Sequence, residues 1–279
     1  MSYSAATYSR RGYDPFTRDW IAGGASATRE VLRRMDDAVR YARAQGIIYG
    51  VDDVASGLAR VNLFVGSDIA SVMRPIIATV GPQADTNSGF VTGDHKNLGR
   101  RGGLTADGTS YIDTGTDPQD LGYHEDRGAM GVWIQSLTMP ASLEAMTQSW
   151  NAVDSWGVRT FNSDTLTTSM GLTGGVQDAG LAGVQGPSLL WCGRASQTEL
   201  RQYTNATARG LYATVTDGGV STTDFYIFRR NNSETPDLPI ASGNILGGYF
   251  FWKGAWSTGN AAAISTFWND FMQAMGRVA

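Results

Sequence analysis

Hydrolysis of a glycosidic bond usually takes two carboxylates held at a fixed separation. On a β-sandwich the pattern Glu-x-Asp-x-x-Glu serves, since alternation puts the first two on one face and a bulge brings the third round. The chain has five glutamates, Glu30, Glu125, Glu144, Glu199 and Glu234, and none begins that pattern. Glu125-Asp126 lies in a loop-like run, and adjacent carboxylates on a strand would face opposite ways. Cys192 is the only cysteine, and His95 and His124 are the only histidines. No intrachain disulfide or cysteine-rich zinc site can be built, and neither histidine stands in a motif that would activate the thiol. Inside Ser188-Leu189-Leu190-Trp191-Cys192 the cysteine reads as a small buried apolar residue. Gly171-Leu172-Thr173-Gly174-Gly175 lacks the Lys-Ser/Thr of a phosphate loop, and no Gly-x-Ser-x-Gly elbow occurs. The expectation is therefore a protein that is not an enzyme.

Two other chemistries remain. Asp107-Gly108 and Asp113 could offer oxygens to calcium, although the same residues are ordinary turn formers. No other metal or cofactor is indicated. Aromatic rings in a polar, glycine-rich setting suit sugars, whose C–H faces stack on them while side-chain polar groups take the hydroxyls. Trp133, Trp156, Trp191, Trp252 and Trp256 lie in or beside candidate strands, where most tryptophans belong to the core. Two segments offer a ring beside polar partners. One is Tyr123-His124-Glu125-Asp126-Arg127; the other is Phe251-Trp252-Lys253-Gly254-Ala255-Trp256. Trp252, Trp256, Tyr123 and Asp126 are the candidate glycan-binding residues, with Trp256 preferred.

The elements that would carry these residues are mostly strands. Residues 1–24 read as an extended arm. A helix is expected over 26–45, capped by Ser26 or Thr28, with Val31, Leu32, Met35, Ala38, Val39 and Ala42 at helical spacing and Gly46 as its stop. Arg33, Arg34, Arg40 and Arg43 lie off that stripe, as a solvated surface or as a docking face for an acidic partner. Asp52-Asp53 could start a second short helix, and 67–74 a third, ended by Pro75. Beyond Ile76, β-rich runs alternate with Gly, Asn, Asp and Pro. Strands are expected at 89–92, 110–114, 128–137, 156–162, 166–172, 188–194, 210–216, 224–230 and 245–252, whereas 199–203 is too polar to read as one. Phe225-Tyr226-Ile227-Phe228 puts large groups on both faces, which implies burial on both sides or a ligand face. At the end, Ala261, Ile264, Phe267, Trp268, Phe271, Met272 and Met275 form an apolar stripe on a helix capped by Asn260 and closed by Gly276.

Composition agrees with this outline. The chain has 279 residues, 42% hydrophobic, only 17% charged, and 35 glycines. That suits a turn-rich β protein of one large domain. Net charge is −4, so the basic face that nucleic-acid binding needs is missing, and no nucleic-acid partner is expected. Lys96 and Lys253 are the only lysines among 22 basic residues. No stretch of about 18 apolar residues occurs, so no membrane span is expected. Met1-Ser2-Tyr3-Ser4-Ala5 does not open a signal peptide, which points to synthesis in a bacterial cytoplasm.

Arg60-Val61-Asn62-Leu63-Phe64-Val65-Gly66, Asp85-Thr86-Asn87 and above all the run Gly103-Leu104-Thr105-Ala106-Asp107-Gly108-Thr109-Ser110-Tyr111-Ile112-Asp113-Thr114-Gly115 resemble segments of bacteriophage and prophage virion proteins with a concanavalin A-like (laminin-G-like) jelly roll. Gly247-Gly248-Tyr249-Phe250-Phe251-Trp252-Lys253-Gly254 and the helix ending Met275-Gly276-Arg277 resemble them too. The resemblance covers about residues 47–279. It implies a mainly β fold, an antiparallel two-sheet sandwich with an N-terminal helix and a closing amphipathic helix packed outside. It also implies a part of a phage or gene-transfer-agent particle, a head spike or tail fibre, that binds host-surface polysaccharide. A homo-oligomer on the particle surface is expected, with residues 1–46 as an anchor to other particle proteins and 47–279 as the sandwich domain. The alternatives are a polysaccharide-degrading enzyme on the same fold and a decoration protein without a glycan ligand.

Overall fold

The run Ile245-Leu246-Gly247-Gly248-Tyr249-Phe250-Phe251-Trp252-Lys253 alternates large side chains with large side chains, so a strand here must be covered on both faces. The computed structural model describes residues 12–124, 127–138, 144–150, 154–161, 165–173, 177–178, 186–196, 199–212 and 220–278. Helices α1 (Pro15–Ala22) and α2 (Arg29–Ala44) come first. They are followed by β1 (Gly57–Asn62), the single turn α3 (Ile69–Val72), β2 (Ile77–Ala78), β3 (Thr86–Ser88), β4 (His95–Lys96), β5 (Gly103–Thr105) and β6 (Tyr111–Asp113). Long strands come next: β7 (Ala129–Ser136), β8 (Glu144–Trp150), β9 (Asp154–Phe161), β10 (Thr165–Thr173), β11 (Gln177–Asp178), β12 (Ser188–Ser196), β13 (Glu199–Thr204) and β14 (Thr207–Tyr212). The chain closes with β15 (Tyr226–Ile227), β16 (Arg230–Asn232), β17 (Thr235–Asp237), β18 (Ile245–Lys253) and helix α4 (Thr258–Ala274).

The expected two-sheet jelly-roll sandwich is present. The first sheet runs β14-β13-β12-β7-β18-β1-β2, with β5 on β18 and β4 on β5. The second runs β11-β10-β9-β8-β15-β6-β3, with the β16–β17 hairpin attached to β8. The described strand pairings are antiparallel except β16 on β8, and Ile48 adds an isolated parallel bridge to Leu58 of β1. Between the sheets lie Leu246, Tyr249 and Phe251 of β18, Met130, Val132 and Ile134 of β7, Leu190 and Cys192 of β12, and Trp156 and Val158 of β9.

The other face of the first sheet is covered as well. Phe250 and Trp252 of β18, Ala129 and Trp133 of β7 and Leu189 and Trp191 of β12 join one cluster with Val31, Met35 and Val39 of α2 and Ile264, Phe267, Trp268 and Phe271 of α4. The architecture is thus helices on a sheet on a sheet. Glycine permits the closest approaches: a Cβ on Gly131 would lie 2.4 Å from the Cβ of Trp191, and one on Gly193 only 2.2 Å from Trp256 Nε1.

Several local expectations are corrected. Part of the arm at 1–24 is helical: Pro15 sits at the first turn of α1, and the Asp14 side chain accepts from Phe16 N at 3.0 Å. Thr28 caps α2, and Ser257 rather than Asn260 caps α4; Asn260 lies three residues on, where its side chain accepts from Ser257 N at 3.0 Å. Asp52 and Asp53 adopt φ of 51° and 62°, the left-handed region, and make a turn instead of a helix. The 89–92 strand is absent, its place taken by a bend and a 3₁₀ turn at Thr92–Asp94. The polar stretch from Glu199 does form a strand, because β12 and β14 flank it on both sides. Residues 213–216 of another expected strand lie outside the described residues.

The boundary expected at residue 46 falls inside shared packing. Val31, Met35, Val39 and Ala42 of α2 are at most 1% exposed against the first sheet and α4. Arginines of α2 face carboxylates of this chain. Arg34 pairs with Glu30, Arg40 with Asp36 at 2.6 Å, and Arg43 with Asp14 at 2.9 Å.

Candidate functional site

Trp252 lies in β18 at 1% exposure, with its ring in the core against the helices and its Nε1–H donated to Ala255 O at 3.2 Å. Trp256 is 5% exposed, packed edge-on to Trp191 and Tyr203 at 5.1 and 5.5 Å between centroids. Tyr123 sits on the opposite side of the first sheet, between Trp156 and Phe225, and its hydroxyl donates to Ala129 O at 2.6 Å. Burial pushes that hydroxyl's pKa well above its usual value. Asp126 lies outside the described residues. Trp252 and Trp256 thus share the helix-facing cluster while Tyr123 lies between the sheets, and each ring is enclosed by packing where stacking on a sugar needs an open face. The turn at Gly254 suggested exposure, but the sheet it leaves is roofed by α2 and α4.

Asp107 and Asp113 are not a pair either. Asp107 accepts from Thr109 N at 2.7 Å and from Ser110 N and Oγ at 2.6 Å each, and these donors hold it well below the usual carboxylate range. Asp113 accepts from Gly115 N at 2.9 Å. Among the described residues no three His, Cys, Asp or Glu side chains gather as metal ligands.

Aromatic and polar side chains instead converge on the outer face of the second sheet. A bulge in β8 after Ala145 turns both Met146 and Thr147 toward the core, which leaves Gln148 and Trp150 facing out. On β9, Val158 points in, so Ser155 and Arg159 point out beside them. Phe228 reverses the chain after β15: its φ is 73°, its ring is buried against Phe90 at 4.9 Å, and its N–H donates to Met146 O at 2.9 Å. That reversal brings Arg230 alongside Gln148 in parallel register. A two-residue turn at Ser233 and Glu234, both with positive φ, then folds β17 back to set Asp237 opposite Arg230.

Arg230 is fixed in two ways. Its Nε donates to Asp237 Oδ1 at 2.6 Å and its Nη2 to Oδ2, a bidentate pair, and its guanidinium carbon stands 4.1 Å from the Trp150 ring centroid. Arg159 approaches the same ring at 5.6 Å. Burial, and then the charge on Arg230, lowers the Arg159 pKa to about 10. The remaining nitrogen of Arg230, Nη1, has no hydrogen-bond partner among the described residues. Gln148 donates from Nε2 to Ser155 Oγ at 2.9 Å, while its Oε1 is buried and accepts from nothing. A fixed donor and an orphan acceptor thus face the same register position, since Arg230 and Gln148 are directly paired.

Farther along the face, Tyr226 is paired across the strands with Gln148 and with Asp113. Its ring tilts against Tyr111 at 4.7 Å between centroids, and Tyr111 is half-buried. Asp224 next to it is raised to about pH 6 by burial first, then by the charges of Asp113, Asp117, Asp120 and Glu234. The face therefore has a cationic end at Trp150 and an acidic end at Tyr226.

The folded chain holds the Asp224 proton more tightly than an unfolded one does. Its charged form therefore penalises folding above about pH 6, and the penalty fades as pH falls toward 3.8. Asp224→Asn is expected to raise the melting temperature at pH 8 and to leave it unchanged at pH 4. Thermal scans across that range check this, and an equal effect at both ends would contradict the assignment.

No protein-family model matches the chain, and no curated protein matches its sequence. Solved structures do match its fold. Domain 4 of AbnA, a GH43 extracellular arabinanase from Geobacillus stearothermophilus in complex with arabinotriose, superposes with a TM-score of 0.55 and 11% identity over 75% of this chain and 98% of that one. A mutant of Trypanosoma rangeli sialidase displaying trans-sialidase activity gives 0.53 and 12% over 86% of this chain and 39% of that one. Trypanosoma rangeli sialidase in complex with the inhibitor DANA gives 0.51 and 11% over 84% and 38%. The chain spans less than half the length of these sialidases. At such identities the likeness shows the fold. It also corrects the expectation of a protein that is not an enzyme: chains sharing this fold include sialidases, so missing motifs are no ground for that exclusion.

Sequence reasoning missed Trp150, Gln148, Arg159 and Arg230. The available signal was Phe225-Tyr226-Ile227-Phe228, whose two-faced pattern marks Tyr226 as the residue pointing away from the core.

Proposed function

We propose that this protein binds carbohydrate on the outer face of its second sheet, across Trp150, Arg230 and the Tyr111–Tyr226 pair. The observation that carries the reading is the half-buried Trp150 ring with Arg230 locked against it by Asp237, which leaves Nη1 for an acceptor on a ligand. A sugar hydroxyl accepts from Nη1 while the C–H face of the sugar lies on the Trp150 ring. The fold likeness to a domain solved with arabinotriose supports the reading. The biological setting, attachment to host-surface polysaccharide from the surface of a phage-like particle, rests on the sequence resemblance at Gly103–Gly115 and at the closing strand and helix. A micrograph of labelled protein on intact particles tests that setting.

The site itself is tested on a glycan array and by titration of the strongest binder. Trp150→Ala is expected to weaken binding about tenfold, roughly 1.4 kcal/mol. Arg230→Gln is expected to weaken it as well, with the melting temperature measured alongside because the Asp237 pair is lost. Wild-type affinity in both folded variants would rule out this face.

A further inference from the structure

A concave cleft lies at the first sheet. Lys96 of β4, Arg100 and Arg101 of the following turn, Gln135 at the end of β7, Ile245 of β18 and Arg277 after α4 line a cleft of about 730 Å³. That volume falls in the range of small-ligand pockets. Its charge is one-sided. Lys96, Arg100 and Arg101 are exposed, and none has a carboxylate partner among the described residues. The one acid among the described lining residues, Asp94, accepts from Val91 N at 2.8 Å in its own turn.

Arg277 deepens the imbalance. It is fully buried, and its guanidinium donates to carbonyl oxygens, those of Asn97 at 3.0 Å, Leu63 at 3.1 Å, Gly247 at 3.0 Å, Phe64 at 2.9 Å and Lys96 at 3.5 Å, and to Met272 Sδ at 3.7 Å, with no carboxylate partner among the described residues. Carbonyl dipoles satisfy the N–H groups but leave the net charge in place. Burial accordingly lowers its pKa to about 9. The turn above it is held firmly. Gly99 N donates to Met275 O at 3.0 Å, Gly102 N to Gly99 O at 2.7 Å, and Gln135 Nε2 to Arg100 O at 3.0 Å. A side chain at Gly102 would collide with Arg277, its Cβ lying 2.6 Å from Nε. Two guanidiniums are thus presented from a fixed turn over a buried charge, in a chain whose net charge is −4. A cleft concentrates such a field and draws in anions, and guanidinium forks match carboxylate and sulfate.

We propose that this cleft binds the carboxylate or sulfate groups of an acidic oligosaccharide. The proposal rests on the carbohydrate reading for its choice of ligand. The lining favours a glycan over single-stranded nucleic acid, because its described residues include no aromatic ring on which a base would stack.

The test uses the full chain and the double variant Arg100→Gln/Arg101→Gln, both side chains being exposed. Isothermal titration is run with oligogalacturonate, a heparin oligosaccharide, a neutral oligosaccharide that binds the wild type, inorganic sulfate and a short single-stranded DNA, each at low and at raised salt. At least one acidic oligosaccharide is expected to bind, to lose about tenfold in affinity in the double variant and to weaken with salt. Neutral-sugar affinity and melting temperature are expected to stay as in the wild type. Trp150→Ala leaves the acidic arm intact, so failure at the outer face and failure here are told apart. Equal affinity in the double variant, binding of inorganic sulfate alone, tighter binding of DNA, or no acidic ligand at low salt would each overturn the proposal.

Discussion

Trp268→Ala is expected to cost about 3–5 kcal/mol and to make soluble protein scarce. Trp268 is fully buried at the centre of the helix-facing cluster. Its ring lies parallel to Trp133 at 6.4 Å, near Phe250 at 6.3 Å and edge-on to Phe267 at 5.7 Å. It also fills the space over Gly248, where a Cβ would come within 2.8 Å of it. Truncation would therefore open a cavity between α4 and the first sheet that the rigid strands could not close. Denaturant unfolding measures the loss. A midpoint equal to that of the wild type would mean that α4 is not held on the sheet by this stripe. The same packing predicts that removing residues 1–46 exposes Val61, Trp252 and Phe267 to water, instead of releasing an intact sandwich.

Asp85→Ala is expected to cost a comparable amount, about 3–5 kcal/mol, for an electrostatic reason. Asp85 and Arg60 form an ion pair whose side chains are both fully shielded from solvent. Asn62 Nδ2 and Tyr249 Oη donate to the same carboxylate at 2.8 Å, and Arg60 Nη1 donates to Pro82 O at 2.7 Å and Val80 O at 3.1 Å. The network ties the loop at 79–85 to β1 and β18. Removing the carboxylate leaves a buried guanidinium without its counter-charge, which is far worse than never having had the pair. The double change Arg60→Met with Asp85→Leu is expected to recover much of the loss, since apolar replacement of both partners is often near neutral. Unfolding of the two variants side by side checks this. A single variant as stable as the wild type would show that Arg60 finds another partner.

Much of the frame is readable from residue pattern alone. The stripe of α4 and the dense runs of β7, β12 and β18 follow from periodicity, because each buries a face or both faces. The candidate site was not readable, for physical reasons that can be named. Glu144-Ala145-Met146-Thr147-Gln148-Ser149-Trp150 breaks the two-residue rhythm at its bulge, so no alternation marks Trp150 as outward-facing. Trp252 and Trp256 flank a glycine turn and look exposed, yet helices distant in sequence cover them. Phe228 and the Ser233-Glu234 turn adopt left-handed backbone without glycine, which hides the reversals that carry Arg230 to Trp150. Local sequence reports the near neighbours of a side chain, whereas this site is assembled from strands about 80 residues apart.

The central claim, that carbohydrate is held on the outer face of the second sheet, is tested most directly by NMR of the indole N–H protons. The chain has 8 tryptophans, each giving one such signal. Titration with an oligosaccharide that binds is expected to move the Trp150 signal in step with saturation. The signals of Trp252, Trp256 and Trp268, enclosed in the helix-facing core, are expected to stay in place. Movement confined to Trp252 and Trp256, with Trp150 unchanged at saturation, would contradict the account.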